Sequence, residues 1–248
     1  MVGIGPGGAG HLTPAARRAL EEAEVWAGYA GFLPAVDELR GEKRVITTGM
    51  TGEVERCRRA VEAAQNGDTV AVISSGDAGV YGMAGLVLQL LGEREISVEV
   101  VPGVTAATAA AAALGAPLMH DFACISLSDL LTPWETIAAR LEAAARADFV
   151  TVLYNPKSKR RQEGVARSRE IFLRHRVPAT PVGVVREAGR ETQEAAIYRL
   201  ENLLEAPVDM LTTLIIGNSQ TYVAAGRMIT PRGYENKTGF NEERVMGG

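Results

Sequence analysis

The chain has 248 residues, 46% of them hydrophobic and 23% charged, enough to bury the core of one large α/β domain or of two domains of ordinary size. Lys and Arg number 26 against 30 Asp and Glu, a net charge of -4, so the balance points to neither nucleic acid nor an anionic membrane as partner. Cys57 and Cys124 stand in unrelated contexts and His11, His120 and His175 are scattered, which offers no metal-ligand spacing and implies a reducing, cytoplasmic setting without bound metal.

Met1 to Ile4 is strand-like, with no basic and apolar signal-peptide pattern, and no export is expected. Gly3, Gly5 and Gly8 formally satisfy G-x-G-x-x-G, the dinucleotide fingerprint, in which the loop runs straight into a helix whose free N–H groups hold a pyrophosphate. Here Pro6 deletes one N–H. The helix is predicted to start only at Thr13-Pro14, with Thr13 as N-cap and Pro14 in the first helical position. The acidic residue expected to close a second strand about twenty positions on is also missing, because Glu21, Glu22 and Glu24 fall within a helical pattern.

Short strands are predicted at 25–28 and 44–48, and an amphipathic helix over 51–66 whose apolar face uses Val54, Cys57, Val61 and Ala64, which makes Cys57 core rather than nucleophile. Thr69 to Ile73 reads as a buried strand that empties into the glycine-dense turn Ser74 to Gly82, with a helix running from Val80 to Leu91. Asp77 lies between two of the turn's glycines, near the helix N-terminus. Ser97 to Val101 is a further strand, and Pro102 to Ala106 repeats the sequence of strand, sharp turn and small-residue helix. The turns at 5–8, 76–80 and 102–106 are expected to converge at one carboxyl edge, where open α/β sheets bind ligands. Val100 to Met119 carries no charge, but Pro102, Gly103, Gly115 and Pro117 interrupt it, so it reads as strand, turn and buried helix rather than a membrane span.

Leu114 to Phe122 looks like a connection, placing a domain boundary near Leu118 and dividing the chain into 1–118 and 119–248. Beyond it, strands are predicted at 123–127, 149–154, 181–186, 194–199 and 211–216, with helices over 132–147 and 162–174. The last dozen residues are polar and expected to be mobile. No Ser-His-Asp or Cys-His arrangement is legible.

Gly3-Ile4-Gly5-Pro6-Gly7, Gly76-Asp77-Ala78-Gly79-Val80-Tyr81-Gly82 and Pro102-Gly103-Val104-Thr105-Ala106, in that order, resemble the tetrapyrrole methylase family over nearly the whole chain. The resemblance implies two unlike α/β domains with mixed sheets, S-adenosylmethionine as co-substrate in the cleft between them, an anionic tetrapyrrole as acceptor and a homodimer. The stretches Leu153 to Ser158, Arg186 to Thr192, Gly217-Asn218-Ser219 and Ile229 to Tyr234 are most similar to the branch that methylates carbon 17 of a cobalamin precursor and contracts its ring. Carried over by motif, the cofactor positions fall on Pro6, Asp77, Val80, Thr105, Ala106, Tyr154, Gly217 and Thr230. A sulfonium with an amino-acid tail and an adenine needs small-residue walls and a few polar anchors rather than a pyrophosphate cradle, which suits the late helix start.

Methyl transfer to such an acceptor requires positioning and no activated protein nucleophile. Ring contraction needs proton transfers, for which His120, Asp121, Asp77 and Ser128 are the candidates. The acceptor's carboxylates call for cations: Lys157, Arg186 and Arg190 are expected to bind them, whereas Lys159, Arg160 and Arg161 share Lys157's strand exit and the two arginines read more simply as a solvated basic turn. Three other readings remain open at this point: another member of the family with a different acceptor, a nicotinamide oxidoreductase suggested by the first glycine loop, and a tetrapyrrole-binding module without turnover.

Overall fold

The computed structural model describes residues 1–49, 51–158 and 161–234. It divides into two compact units, residues 1–109 with 189–192 and the remainder from Ala110 onward. The division falls inside a helix, Ala106–Leu114, so the expected boundary at Leu118 lies within the second unit.

The first unit is built on strands β1 (Val2–Gly3), β2 (Val25–Tyr29), β3 (Arg44–Thr48) and β4 (Val70–Ser74), parallel throughout and ordered β1-β4-β2-β3. Both faces are covered. Trp26, Ala71 and Ile73 pack with Leu20 of helix α1 (Pro14–Glu22) and Leu33 and Val36 of a 3-10 turn, while Val25, Ala27 and Val72 pack with Cys57 and Val61 of α2 (Glu53–Gln65) and Val87 and Leu91 of α3 (Ala84–Leu91). Because alternate residues enter opposite cores, these strands read as unbroken apolar runs. Trp26 is fully buried and its indole N–H donates to the Leu20 carbonyl at 3.1 Å.

Three expectations are corrected. Helix α2 turns Arg56 inward (3% exposed) and leaves Val54 out (49% exposed). Residues 97–100 form no strand: Val98 and Val100 are exposed, and only Val101 bridges β1, beside β1's own pairing to β4. Helix α3 begins at Ala84 rather than Val80. Tyr81 has φ 54°, and a Cβ on Gly82 would lie 2.5 Å from the Ala78 carbonyl oxygen, so the chain must finish its turn before it can coil.

In the second unit, helix α4 (Ala106–Leu114), which starts in the first unit, leads into β5 (Gly115–Ala116). The main sheet has the order β6-β7-β10-β8-β9, from β6 (Phe122–Ser126), β7 (Val150–Tyr154), β8 (Pro181–Arg186), β9 (Glu194–Arg199) and β10 (Thr212–Ile216). Only β6 and β7 are parallel; the other pairings are antiparallel, so this sheet is mixed and the two units are unlike. Helices α5 (Trp134–Arg146) and α6 (Gly164–Leu173) bury Ile137, Leu141 and Phe172 against Leu153, Leu214 and Ile216. On Gly183 a Cβ would lie 2.1 Å from a Leu114 methyl, so glycine there admits the α4 side chain. A small sheet of β11 (Tyr222–Ala224), β12 (Arg227–Ile229) and β5 was not expected. Its hairpin turn has positive φ at Ala225 (48°) and Gly226 (72°), the pattern of a type I′ turn, and Ala-Gly is a weak signal for it. The C-terminal tail expected to be mobile lies, from residue 235, outside the described residues, as do Lys159 and Arg160.

The start of α1 follows its sequence signal: the Thr13 hydroxyl accepts from the Ala16 N–H at 3.1 Å, and Pro14 opens the helix. Thr13→Ala is expected to lower unfolding free energy by about 1 kcal/mol, read as a shift in urea midpoint at constant slope.

Candidate functional site

At the carboxyl edge of the parallel sheet, the three glycine turns meet through their backbones. Gly5 and Gly76 exchange hydrogen bonds, Gly5 N–H to Gly76 O at 3.0 Å and Gly76 N–H to Gly5 O at 2.7 Å, and Gly3 N–H donates to Val101 O at 3.0 Å. The approach is too close for side chains: a Cβ on Gly103 would lie 2.2 Å from Gly76 O, and one on Gly3 would lie 2.8 Å from both Gly103 N and Gly76 O. Asp77 ties the turns together. Its Oδ1 accepts from the N–H groups of Gly79 (2.8 Å) and Val80 (3.2 Å), an Asx-turn, and its Oδ2 accepts from Gly103 N–H at 3.0 Å. Both oxygens of Asp77 are thus taken by backbone donors of its own turn and of the next.

Around this knot the surface is small and partly open. Gly76, at φ 68°, has only ordinary contacts near its missing Cβ, the nearest being Ala106 N and Thr105 Cα at 3.8 Å. Val80 is exposed, and Thr105 and Ala106 are half-buried at the start of α4. The first loop does not lead into a helix that could hold a pyrophosphate. It passes through a 3-10 turn at Ala9–His11 before α1 begins, and its carbonyls are engaged: Gly7 O by His11 Nδ1 (3.1 Å) and Pro6 O by Arg190 Nε (3.1 Å). Arg190, expected to bind substrate, thus braces the Pro6 loop, and Gly189 (φ 77°) brings its backbone against Pro6 and His11.

In the second unit the expected residues divide between two edges of the five-stranded sheet. Tyr154, Ser128, Lys157 and Arg186 lie where β6, β7 and β8 end; Asn155 Nδ2 donates to Ser126 Oγ there at 3.0 Å. Asn155 (φ 51°) and Glu187 (φ 50°) both leave their strands in the left-handed region, a local cost that these two exits share. His120, Asp121 and Gly217 lie at the opposite edge, since Asp121 O accepts from Val150 N–H and Gly217 N–H donates to Pro181 O. Five residues of β7 separate the edges by about 13 Å. Thr230 belongs with Gly217: it is fully buried, its hydroxyl 2.8 Å from that of Thr221, whose side chain crowds Gly217. His120 and Asp121 are exposed and contact each other, Asp121 N–H donating to His120 Nδ1 at 2.8 Å.

The cations are mostly committed. Arg186 pairs with Asp209 (2.8 Å) and Glu187 (2.9 Å), and the hydrogen bond to Asp209 raises its pKa above the usual arginine value. Burial pushes Asp209 upward, but bonds from Arg186, Thr212 and the Leu211 N–H outweigh it, and its carboxyl lies below the usual range. Arg161 is no solvated turn residue: its guanidinium donates to Leu127 O (3.0 Å) and Asn155 O (3.3 Å). Lys157 makes no ion pair among the described residues. Cys57 is fully buried, and burial raises the pKa of both its thiol and that of Cys124, so neither is a ready nucleophile. Among the described residues no group of His, Cys, Asp and Glu has metal-binding geometry, and no helix is long and apolar enough to cross a membrane.

The model of the Tetrapyrrole (Corrin/Porphyrin) Methylases matches residues 1–204. The chain belongs to this family. It is 51% identical to a probable cobalt-factor III C(17)-methyltransferase of Salmonella typhimurium, across 94% of this chain and 98% of that one. It is 47% identical to a cobalt-factor III methyltransferase of Priestia megaterium, across 98% of this chain but 46% of that protein; the chain spans about half the length of some curated relatives and nearly all of others. The crystal structure of the methyltransferase CobJ superposes with a TM-score of 0.87 at 35% identity, covering 93% of this chain and 98% of that one. A uroporphyrin-III C-methyltransferase of Thermus thermophilus, solved with S-adenosylhomocysteine, matches at TM-score 0.65 and 27% identity over 87% of this chain and 95% of that one.

For this tetrapyrrole methylase, the sequence did not single out Ser126, which lies inside a strand run and accepts from Asn155, or Arg56, which α2 turns inward although the apolar pattern does not include it. The backbone knot is testable. Gly103→Ala is expected to cost roughly 1–3 kcal/mol of stability through overpacking and to abolish S-adenosylmethionine binding in calorimetry. Gly85→Ala, on α3 with nothing within 4 Å, is expected to preserve binding and add about 0.5–1 kcal/mol.

Proposed function

We propose that the chain transfers a methyl group from S-adenosylmethionine to carbon 17 of precorrin-3B or of cobalt-factor III, with ring contraction, in cobalamin biosynthesis. The observation that carries this reading is the 51% identity to a probable C(17)-methyltransferase along nearly the full length of both chains. The carboxyl edge of the first unit suits the co-substrate: Gly76, Val80, Thr105 and Ala106 offer backbone and small side chains at an open surface, and Asp77 holds the turns that present them. When bound, S-adenosylmethionine supplies an electrophilic methyl group; the protein's part is to orient the acceptor carbon toward it and exclude water.

We assign Pro6, Asp77, Val80, Thr105 and Ala106 to the co-substrate, Asp77 through the turns it fixes. Tyr154 joins them on the family resemblance alone, while the burial of Thr230 and the position of Gly217 on the other sheet edge count against those two. For proton transfer we favour Ser128, which shares an edge with Tyr154, over His120 and Asp121 across the sheet. Lys157 is the preferred anchor for acceptor carboxylates, because Arg186 and Arg190 already serve other groups. The reading includes a cytoplasmic homodimer acting on a free tetrapyrrole rather than on nucleic acid or a membrane.

Anaerobic incubation with S-adenosylmethionine and each acceptor, followed by mass spectrometry and absorbance, tests it. The expected product is heavier by one methylene unit and has the spectrum of a contracted ring with one of the two acceptors. Tight co-substrate binding without methylation of either would retain the family and overturn the acceptor.

A further inference from the structure

Among the described residues two arginines have buried side chains, Arg56 and Arg176, and their partners differ. Arg176, in the second unit, is neutralised by Asp148 at 3.1 Å and donates to the Ala145 carbonyl at the end of α5 at 2.6 Å. Arg56, in the first unit, is 3% exposed and has no carboxylate partner among the described residues. Its bonds go to two neutral groups, Thr48 Oγ1 at 2.7 Å and the Met83 thioether at 3.8 Å, and its Nε, like that of Arg176, is buried without a partner.

The surroundings add positive potential. Arg56 stands in the first turn of α2, whose N-cap Gly52 supplies no side-chain acceptor, so the guanidinium adds to the positive end of the helix. Glu53 and Glu55 share that turn, but Glu55 pairs with Arg58 at 3.1 Å and neither reaches Arg56. Withdrawing a cation from water costs several kcal/mol unless a partner compensates, and an apolar side chain of similar size would fill the same space without that cost. A fork with five N–H donors, two of them spent on a hydroxyl and a thioether, can still receive a carboxylate in bidentate fashion.

Location identifies the carboxylate. Thr48 ends β3 and Met83 closes the glycine turn that begins at Gly76, so Arg56 lies at the carboxyl edge that carries the candidate co-substrate surface. Met83 is half-buried, flexible and only weakly held, and can give way to a stronger acceptor. We propose that Arg56 is a substrate-binding residue that receives one carboxylate arm of the tetrapyrrole acceptor when Met83 moves aside. The proposal rests on the function proposed above.

Arg56→Met and Arg56→Lys test it in the full chain, with four readouts: thermal midpoint, calorimetric Kd for S-adenosylmethionine, KM for cobalt-factor III, and fluorescence titration with uroporphyrin III, a tetrapyrrole polycarboxylate, against its fully methylated ester. For Arg56→Met the midpoint should be unchanged or higher and the co-substrate Kd within about twofold, while KM and the uroporphyrin Kd rise about tenfold or more, the loss of one charged hydrogen-bonded contact. The ester should bind wild type and variant alike, and Arg56→Lys should recover part of the loss. A lowered midpoint with unchanged KM and uroporphyrin affinity would make Arg56 a structural brace and overturn the proposal. If the wild type methylates neither acceptor, the functional reading fails on its own, and the uroporphyrin titration still decides Arg56: a weaker variant sustains a carboxylate site, whereas equal affinity, or no binding by the wild type, overturns it.

Discussion

The Asp77 carboxylate is the interaction on which the carboxyl edge of the first unit depends. Parallel strands end separately, and nothing in the ladder of β1, β4 and Val101 obliges their exits to stay together. Asp77 supplies that obligation by accepting from Gly79 and Val80 within its own turn and from Gly103 in the next. Hydrogen bonds to an ionised acceptor are the stronger kind, and losing this one would leave three backbone donors short of a partner. The glycines follow from the same constraint, because the exits can be tied only if Gly3, Gly76 and Gly103 bring bare backbone together.

In the second unit, two neighbouring strand exits share a left-handed backbone. Asn155 and Glu187 leave β7 and β8 with positive φ at the same sheet edge, and Glu187 is held there by Arg186, itself bound to Asp209. Local cost persists where surrounding contacts over-determine it; at Glu187 that contact is ionic, and at Asn155 it is the hydrogen bonds made to Ser126 and received from Arg161. At the other edge the polar groups turn inward: Asn218, Thr221 and Thr230 satisfy one another, and Ser219 bonds Asp148, which neutralises Arg176.

Much of this was legible in the sequence, and the gaps have physical causes. Long apolar runs such as 70–74 and 150–154, and a capped start such as Thr13-Pro14, carry their own signals, as did the meeting of the three glycine turns. Strand 97–101 failed because β propensity in Val98 and Val100 says nothing about whether a neighbour is in register to pair with them. The face of α2 was misjudged because periodicity ranks Val54 above Arg56 by hydrophobicity and cannot see a buried charge held by Thr48. The split of His120 and Gly217 from Tyr154 was invisible for another reason: a mixed sheet places strand ends on either edge according to direction, and direction is a property of pairing, not of local sequence.

Charge allocation follows from the same view. With a net charge of -4, long-range attraction does not gather an anionic acceptor, and beyond about 8 Å salt screens what remains. Recognition must come from a few local cations. Yet Arg161, Arg176, Arg186 and Arg190 are each bound to carbonyls or carboxylates of the chain itself. Among the described residues Arg176 and Arg186 are paired with carboxylates, whereas Arg56, buried at the end of β3, is held by a hydroxyl and a thioether, and that asymmetry separates it from the arginines that hold the fold.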